Sequence, residues 1–263
     1  PGFTTDLHDY FAELDVLRDV IVKELGDAVH ILVLGHSTGG LITSLWLSNE
    51  HPHHVSALAL NSPWLELQGN RFARIMTTPV VKGFGISGPK TVVPIPDPGF
   101  YGRTLWADQG GEWTYQHAGD THPAGEFVSR AGWLDAIYNG QAEVSRGLDI
   151  QVPVLVCTSD RTMIQSRWDE AMRESDTVLD VTAIRQNALN LGDMVSLAII
   201  RHGIHDLSMS RSEARRRYFQ IAAQWSACCA WGCAGDGSVK GHAFPQRVLE
   251  QSLDTVASPR GGG

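Results

Sequence analysis

Val29-His30-Ile31-Leu32-Val33-Leu34 leads into Gly35-His36-Ser37-Thr38-Gly39-Gly40, and Leu41 to Asn49 follows. The first six residues are a short apolar run rich in β-branched side chains, the pattern of a strand buried on both faces of a parallel sheet. The stretch from Leu41 reads as a helix. Gly35 and Gly39 bracket the turn between them in a G-x-S-x-G pattern. Strand, tight turn and helix are the repeating unit of parallel sheets, so this stretch decides the fold class.

The same turn carries chemistry. A serine on a sharp strand-to-helix bend projects its hydroxyl into a cleft, and the glycines let neighbouring backbone pass close by. The helix behind it directs free N–H groups and its positive dipole end at that hydroxyl. Ser37 is therefore the candidate nucleophile, with the Thr38 backbone N–H as an oxyanion donor. A phosphate loop fits poorly, because no Gly-Lys-Ser/Thr follows.

Outward from the turn the alternation continues. Thr4 and Thr5 precede a helix over Asp6 to Leu25, with an apolar stripe of Leu7, Tyr10, Phe11, Leu14, Leu17, Ile21 and Leu25, ended by Gly26. Val55 to Leu60 reads as a strand, Val152 to Thr158 as another, Thr182 to Leu191 as a helix, Val195 to Arg201 as a strand and Ser210 to Trp225 as a closing helix. The expected fold is α/β, a mostly parallel sheet flanked by helices.

Residues 63–147 break the rhythm with seven prolines, many glycines and Trp64, Trp106, Trp113 and Trp133. The segment is too long for an ordinary loop and reads as an inserted cap. Its tryptophans suit an acyl pocket or simple cap packing equally well. Residues 227–263 are Gly-rich and aperiodic, the composition of a disordered tail. The expected organisation is a first part of the core with the nucleophile turn at 1–62, a cap at 63–147, a second part of the core at 148–226 and the tail. No internal repeat is visible.

The 263 residues are 43% hydrophobic and 19% charged, enough for one sizeable core and excluding a disordered chain. The net charge of −8 argues against nucleic-acid or anionic-membrane partners. No apolar run approaches the roughly 18 residues of a membrane span, and no signal peptide is visible. The uneven cysteines (Cys157, Cys228, Cys229, Cys233) suggest no disulfide framework and fit a cytoplasmic setting. Cys228, Cys229, Cys233 and His242 offer at most one of the two ligand pairs of a zinc site, and free thiols are the expectation. His51-Pro52-His53-His54 reads as a turn, and Arg211, Arg215, Arg216 and Arg217 as a solvated helix face.

Serine needs a base, and in this topology the partners follow in the order serine, acid, histidine. His205 lies shortly after the last strand, in Gly203-Ile204-His205-Asp206, where a loop can return an imidazole to Ser37. His202 is its rival at the strand's end, and His36 suits support of the turn. Two acids qualify. Asp160 sits just past the strand Val152–Thr158, 45 residues before His205, and Asp176 precedes it by 29. One helix and one strand with short loops take about 25 to 30 residues, which favours Asp176 and leaves Asp160 as the alternative.

With these residues the chain resembles the α/β-hydrolases. More narrowly it resembles the serine-aminopeptidase-like and monoacylglycerol-lipase-like branch, in its actinobacterial esterase-like members. The resemblance rests on Gly35-His36-Ser37-Thr38-Gly39-Gly40, Asn61-Ser62-Pro63-Trp64-Leu65, Asp176-Thr177-Val178-Leu179-Asp180-Val181 and His205-Asp206-Leu207-Ser208, across roughly residues 1 to 226. It implies an acid in an Asp-x-Val turn, as at Asp176, and a cap after the strand that follows the nucleophile helix, as from Pro63. It also implies four earlier strands and a His-Gly loop giving the second oxyanion donor. The chain begins at Pro1, and about 34 residues before the turn hold one helix and one strand, so the sheet is expected to be incomplete on that side and the second donor missing.

The function expected is a serine hydrolase cleaving carboxylic esters, acylglycerol- or lysophospholipid-like, through an acyl-enzyme and with no cofactor or metal. Two alternatives stand beside it: a non-catalytic remnant that binds acyl ligands, and an amide or peptide hydrolase.

Overall fold

The structure, a computed structural model, describes residues 3–66, 88–94, 97–114 and 129–230. The tail from 231 onward, and residues 67–87, 95–96 and 115–128 of the inserted segment, lie outside the described residues. Four strands form one sheet: β1 (Ile31–His36), β2 (Val55–Asn61), β3 (Val154–Ser159) and β4 (Val195–Ile200). They lie side by side in chain order and every pairing is parallel. The register sets His36 beside Asn61 and Asn61 beside Cys157, so the carboxyl ends of β1 and β2 finish level and β3 runs two residues further.

The central strands have the composition of a sheet covered on both sides. Leu58, Leu60, Val154 and Val156 enter one core with Leu41 and Leu45 of α2 (Thr38–Glu50). Ala59, Leu155 and Cys157 point the other way, into a second core with Ala214 and Tyr218 of a closing helix (Ser212–Trp225). Burial pushes the Cys157 thiol up to about 12, so it behaves as a small apolar side chain. The outer strands differ. Leu34 of β1 is 60% exposed, and Leu197 and Ile199 of β4 are also exposed. The expectation of a β1 buried on both faces is corrected: β1 is an edge strand among the described residues, with no neighbour to cover Leu34.

Several element limits shift. β1 begins at Ile31 because Val29 still belongs to a turn, donating to the Gly26 carbonyl. The first helix opens as a tight 3-10 turn (Leu7–Tyr10) capped by Asp6, which accepts from the His8 N–H, and continues as α1 (Phe11–Leu25). Its stripe splits: Leu7 and Phe11 are buried, whereas Leu17 and Leu25 stand on the surface. Past Trp225 the chain continues through a π-helical turn (Ser226–Ala230) where the tail was expected to begin, and Cys228 there is exposed. Among the described residues no helix is long and apolar enough to cross a membrane.

Within the segment read as a cap, two helices are described: α3 (Phe100–Leu105) and α4 (Ala131–Arg146). α4 packs in the main core. Its Ile137 and Val144 are buried with the α2 leucines, and a Cβ on Gly140 would come within 2.9 Å of Leu7 and Leu45. The short helix α5 (Val181–Ala188) follows the third strand, and the closing helix is α6.

The turn at Ser37 packs as tightly as its glycines imply. A Cβ at Gly35 would lie 2.5 Å from Thr43 Oγ1 and 2.8 Å from the Gly40 Cα. Backbone cannot retreat as a flexible side chain does. Gly35→Ala is therefore expected to lower stability by about 1–3 kcal/mol, read as a fall in the urea unfolding midpoint. An unchanged midpoint contradicts this packing.

Candidate active site

Ser37 closes β1 and opens α2. Its backbone is left-handed, with φ 51° and ψ −122°, a strained conformation for any residue with a Cβ. Backbone hydrogen bonds hold it there. The Ser37 N–H donates to the Asn61 carbonyl at 3.2 Å, and the Ser37 carbonyl accepts from Gly40 N and Trp64 N at 3.0 Å each. The segment leaving β2 thus grips the turn, and Pro63 fills the space beside Gly40. Thr38 is the first residue of α2, so its N–H has no carbonyl one turn earlier to bond.

His205 comes from the loop after β4 and is 3% exposed. Its Nε2 lies 3.1 Å from Ser37 Oγ, and its Nδ1 lies 3.1 Å from Asp176 Oδ2. A carboxylate only accepts, so Nδ1 carries the proton and Nε2 is left to accept from the serine hydroxyl. Asp176 is fully buried. Its other oxygen, Oδ1, accepts from the Val178 and Leu179 N–H groups at 2.8 Å each, which fixes the rotation of the carboxylate. Its backbone is tied to the segment after β3, with Asp176 N donating to the Arg161 carbonyl and Met163 N to the Asp176 carbonyl.

Asp160, the alternative acid, points elsewhere. Its Oδ1 accepts from the His202 N–H at 2.9 Å, at a residue whose φ is 62°. It thereby holds the turn that starts the His205 loop. His202 lies in a surface cluster, with its Nδ1 2.9 Å from Glu174. The histidines at 51, 53 and 54 sit in a turn, where His51 ends α2 in a left-handed conformation. No three His, Cys, Asp or Glu side chains gather as metal ligands among the described residues.

Two aromatic rings flank His205. His36 lies 4.9 Å away centre to centre, and Tyr101 of α3 meets it edge-on at 5.4 Å. Tyr101 carried no sequence signal, since a lone aromatic in an irregular segment resembles packing. Burial, then the Asp206 and Asp176 carboxylates, push its phenol well above the usual range, so it stays neutral. Residues 97–114, which carry Tyr101, are tied down at two points. Arg173 donates to the carbonyls of Arg103 at 2.7 Å and Gln109 at 2.6 Å. Trp113 Nε1 donates to the Met209 carbonyl at 2.7 Å, with the Arg215 guanidinium 4.9 Å over its ring. Arg215 thus departs from the solvated face expected of it. Trp64 and Trp133 pair at 5.9 Å beside the core.

Residues 1–209 match the family described as serine aminopeptidase, S33. Among solved structures, the monoacylglycerol lipase of Paleococcus ferrophilus superposes with a TM-score of 0.56 at 13% identity, over 82% of this chain and 74% of that one. A soluble variant of the monoglyceride lipase of Saccharomyces cerevisiae, solved with a substrate analogue, superposes with a TM-score of 0.60 at 14% identity, over 85% and 70%. No curated protein matches the chain.

His36 supplies a pH test. Burial first, and then the neighbouring His205, hold its imidazole below the usual 6.5, outweighing Asp206, Asp176 and the Asn61 carbonyl that accepts from Nδ1. The unfolded chain then takes up this proton before the folded one does. Stability attached to His36 is complete above about pH 6.5 and is lost as the pH falls below it, at no more than about 1.4 kcal/mol for each pH unit. Replacing His36 by Asn, which can still donate to Asn61, is expected to make the decline between pH 6.5 and 5 shallower in urea titrations. An identical decline in both proteins contradicts the assignment.

Proposed function

Because the chain belongs to the serine aminopeptidase S33 family of α/β-hydrolases, we propose that it is a serine hydrolase that cleaves carboxylic esters through an acyl-enzyme. The observation that carries this reading is the relay from Ser37 through His205 to Asp176, with both distances 3.1 Å. In this reading Ser37 Oγ attacks the ester carbonyl and forms the bond to the acyl carbon. His205 Nε2 takes the hydroxyl proton as that bond forms, then gives it to the leaving alkoxide as the ester C–O bond breaks. Asp176 keeps the imidazole turned the right way and stabilises its charged form. The Thr38 N–H donates to the oxyanion, aided by the dipole of α2. Water then gives a proton to the same imidazole as its oxygen bonds to the acyl carbon; the bond to Ser37 Oγ breaks, Oγ takes that proton back, and the acid is released.

Acylglycerol-like or lysophospholipid-like esters are the substrate class proposed. The two superposed structures are described as lipases of monoacylglycerols, and the described surroundings of His205 include the neutral Tyr101 ring. Asp160 is not the orienting acid in this reading, since its carboxylate is engaged at His202.

A fluorophosphonate probe tests the nucleophile. The protein is expected to be labelled, and Ser37→Ala not at all; a folded protein that stays unlabelled overturns the reading. Asp176→Asn is expected to lower kcat about 10⁴-fold on a p-nitrophenyl ester, and Asp160→Asn far less. Equal losses contradict the choice of acid. Matched p-nitrophenyl esters and p-nitroanilides decide between ester and amide, with the ester expected to react faster.

A further inference from the structure

The three relay residues do not explain what keeps the serine and the imidazole in register. They lie on separate loops, 168 residues apart in sequence. Nε2 to Oγ is 3.1 Å, near the long end of the range over which a base accepts a proton. A small drift of either loop would part them.

The upstream side of His205 is fixed to the end of β3. Ser159 Oγ donates to the Gly203 carbonyl at 2.7 Å, and Asp160 accepts from His202 N. The downstream side is fixed to the end of β2, by one side chain. Asn61 Nδ2 donates to Asp206 Oδ1 at 2.7 Å, and Asn61 Oδ1 accepts from the Leu207 N–H at 3.1 Å. Asn61 is the last residue of β2 and is buried. Its main-chain carbonyl is the same group that accepts from Ser37 N and His36 Nδ1. One residue therefore holds the nucleophile turn by its backbone and the histidine loop by its side chain. An amide suits this place, since it offers a donor to the Asp206 carboxylate and an acceptor to the Leu207 N–H at once. A carboxylate or an aliphatic group of similar size supplies at most one of these.

Resting on the serine-hydrolase reading above, the geometry points to Asn61 as a positioning residue of the reaction, one that sets the Ser37–His205 separation through its amide. Its amide bonds to Asp206 and Leu207 rather than to Ser37 Oγ or the imidazole, and acts through the loop that carries His205. A misplacement of about 1 Å between reacting groups costs about 100-fold in rate.

The test is a cycle of variants in the full chain, read as the second-order rate of fluorophosphonate labelling. Asn61→Leu is expected to slow labelling about 100-fold when His205 is present, and by less than about twofold in a His205→Ala background, where no imidazole remains to be positioned. On a p-nitrophenyl ester the loss should fall on kcat, with KM nearly unchanged. Equal losses in both backgrounds, or no loss in either, overturn the proposal, because a residue that only supports the fold is indifferent to His205. If Asn61→Leu does not fold, Asn61→Ser takes its place, with a smaller loss expected; failure of both to fold assigns Asn61 to the fold alone and overturns the positioning role. If the folded wild type is not labelled, the hydrolase reading fails by itself. The positioning role is then decided by the downfield NMR signal of the His205 Nδ1 proton shared with Asp176: broadening in the Asn61 variant supports it, and an unchanged signal overturns it.

Discussion

The rest of the site depends on the left-handed backbone of Ser37. A residue with a Cβ does not hold φ 51° on its own. The strain is balanced by hydrogen bonds from the neighbouring strand end. Asn61 receives the Ser37 N–H, and Trp64 donates to the Ser37 carbonyl. Gly35 and Gly40 leave the room this needs, one against Thr43 and one against Pro63. The turn is therefore a product of two neighbouring strands finishing level, and a helix-breaking or bulky change in either would be felt at the hydroxyl.

Parallel pairing explains why the candidate site gathers where it does. All four strands end on one side of the sheet, so the connections leaving β1, β2, β3 and β4 meet there. The serine, the Asn61 amide, the acid and the histidine arrive from those four connections in that order. The segment at 97–114 reaches the same rim from the inserted stretch, held by the Arg173 and Trp113 hydrogen bonds, and brings the Tyr101 ring to His205. Charge has a supporting part in this clamp. The guanidinium groups of Arg103 and Arg173 lie 4.2 and 4.8 Å from the centre of a Trp168 ring.

The energetic contrast across the molecule lies between its centre and its rims. β2 and β3 are covered on both faces, whereas β1 and β4 leave Leu34, Leu197 and Ile199 in contact with solvent among the described residues. The outer half of α1 adds Val16, Leu17 and Val20 to the exposed apolar surface. The hydrogen bonds of the relay are anchored on the covered strands and on the inner edge of β1.

Periodicity and turn chemistry in the sequence determined the strand-turn-helix at Ser37, the succession of parallel strands, and the short list from which Ser37, Asp176 and His205 came. These signals are local: a β-branched run, a glycine pair, an interval of 29 residues between Asp176 and His205. Spacing favours Asp176 over Asp160, but only the tertiary structure gives the direction of each carboxylate. Both acids follow β3, and what parts them is which carboxylate faces the imidazole and which faces the His202 N–H. The same holds for Asn61, Tyr101 and Arg173, whose partners in these contacts lie 64 to 146 residues away or across a ring face. Pattern along a chain reports how each residue sits relative to its neighbours in sequence. Hydrogen-bond direction and ring contact between distant loops are fixed only once the strands are aligned.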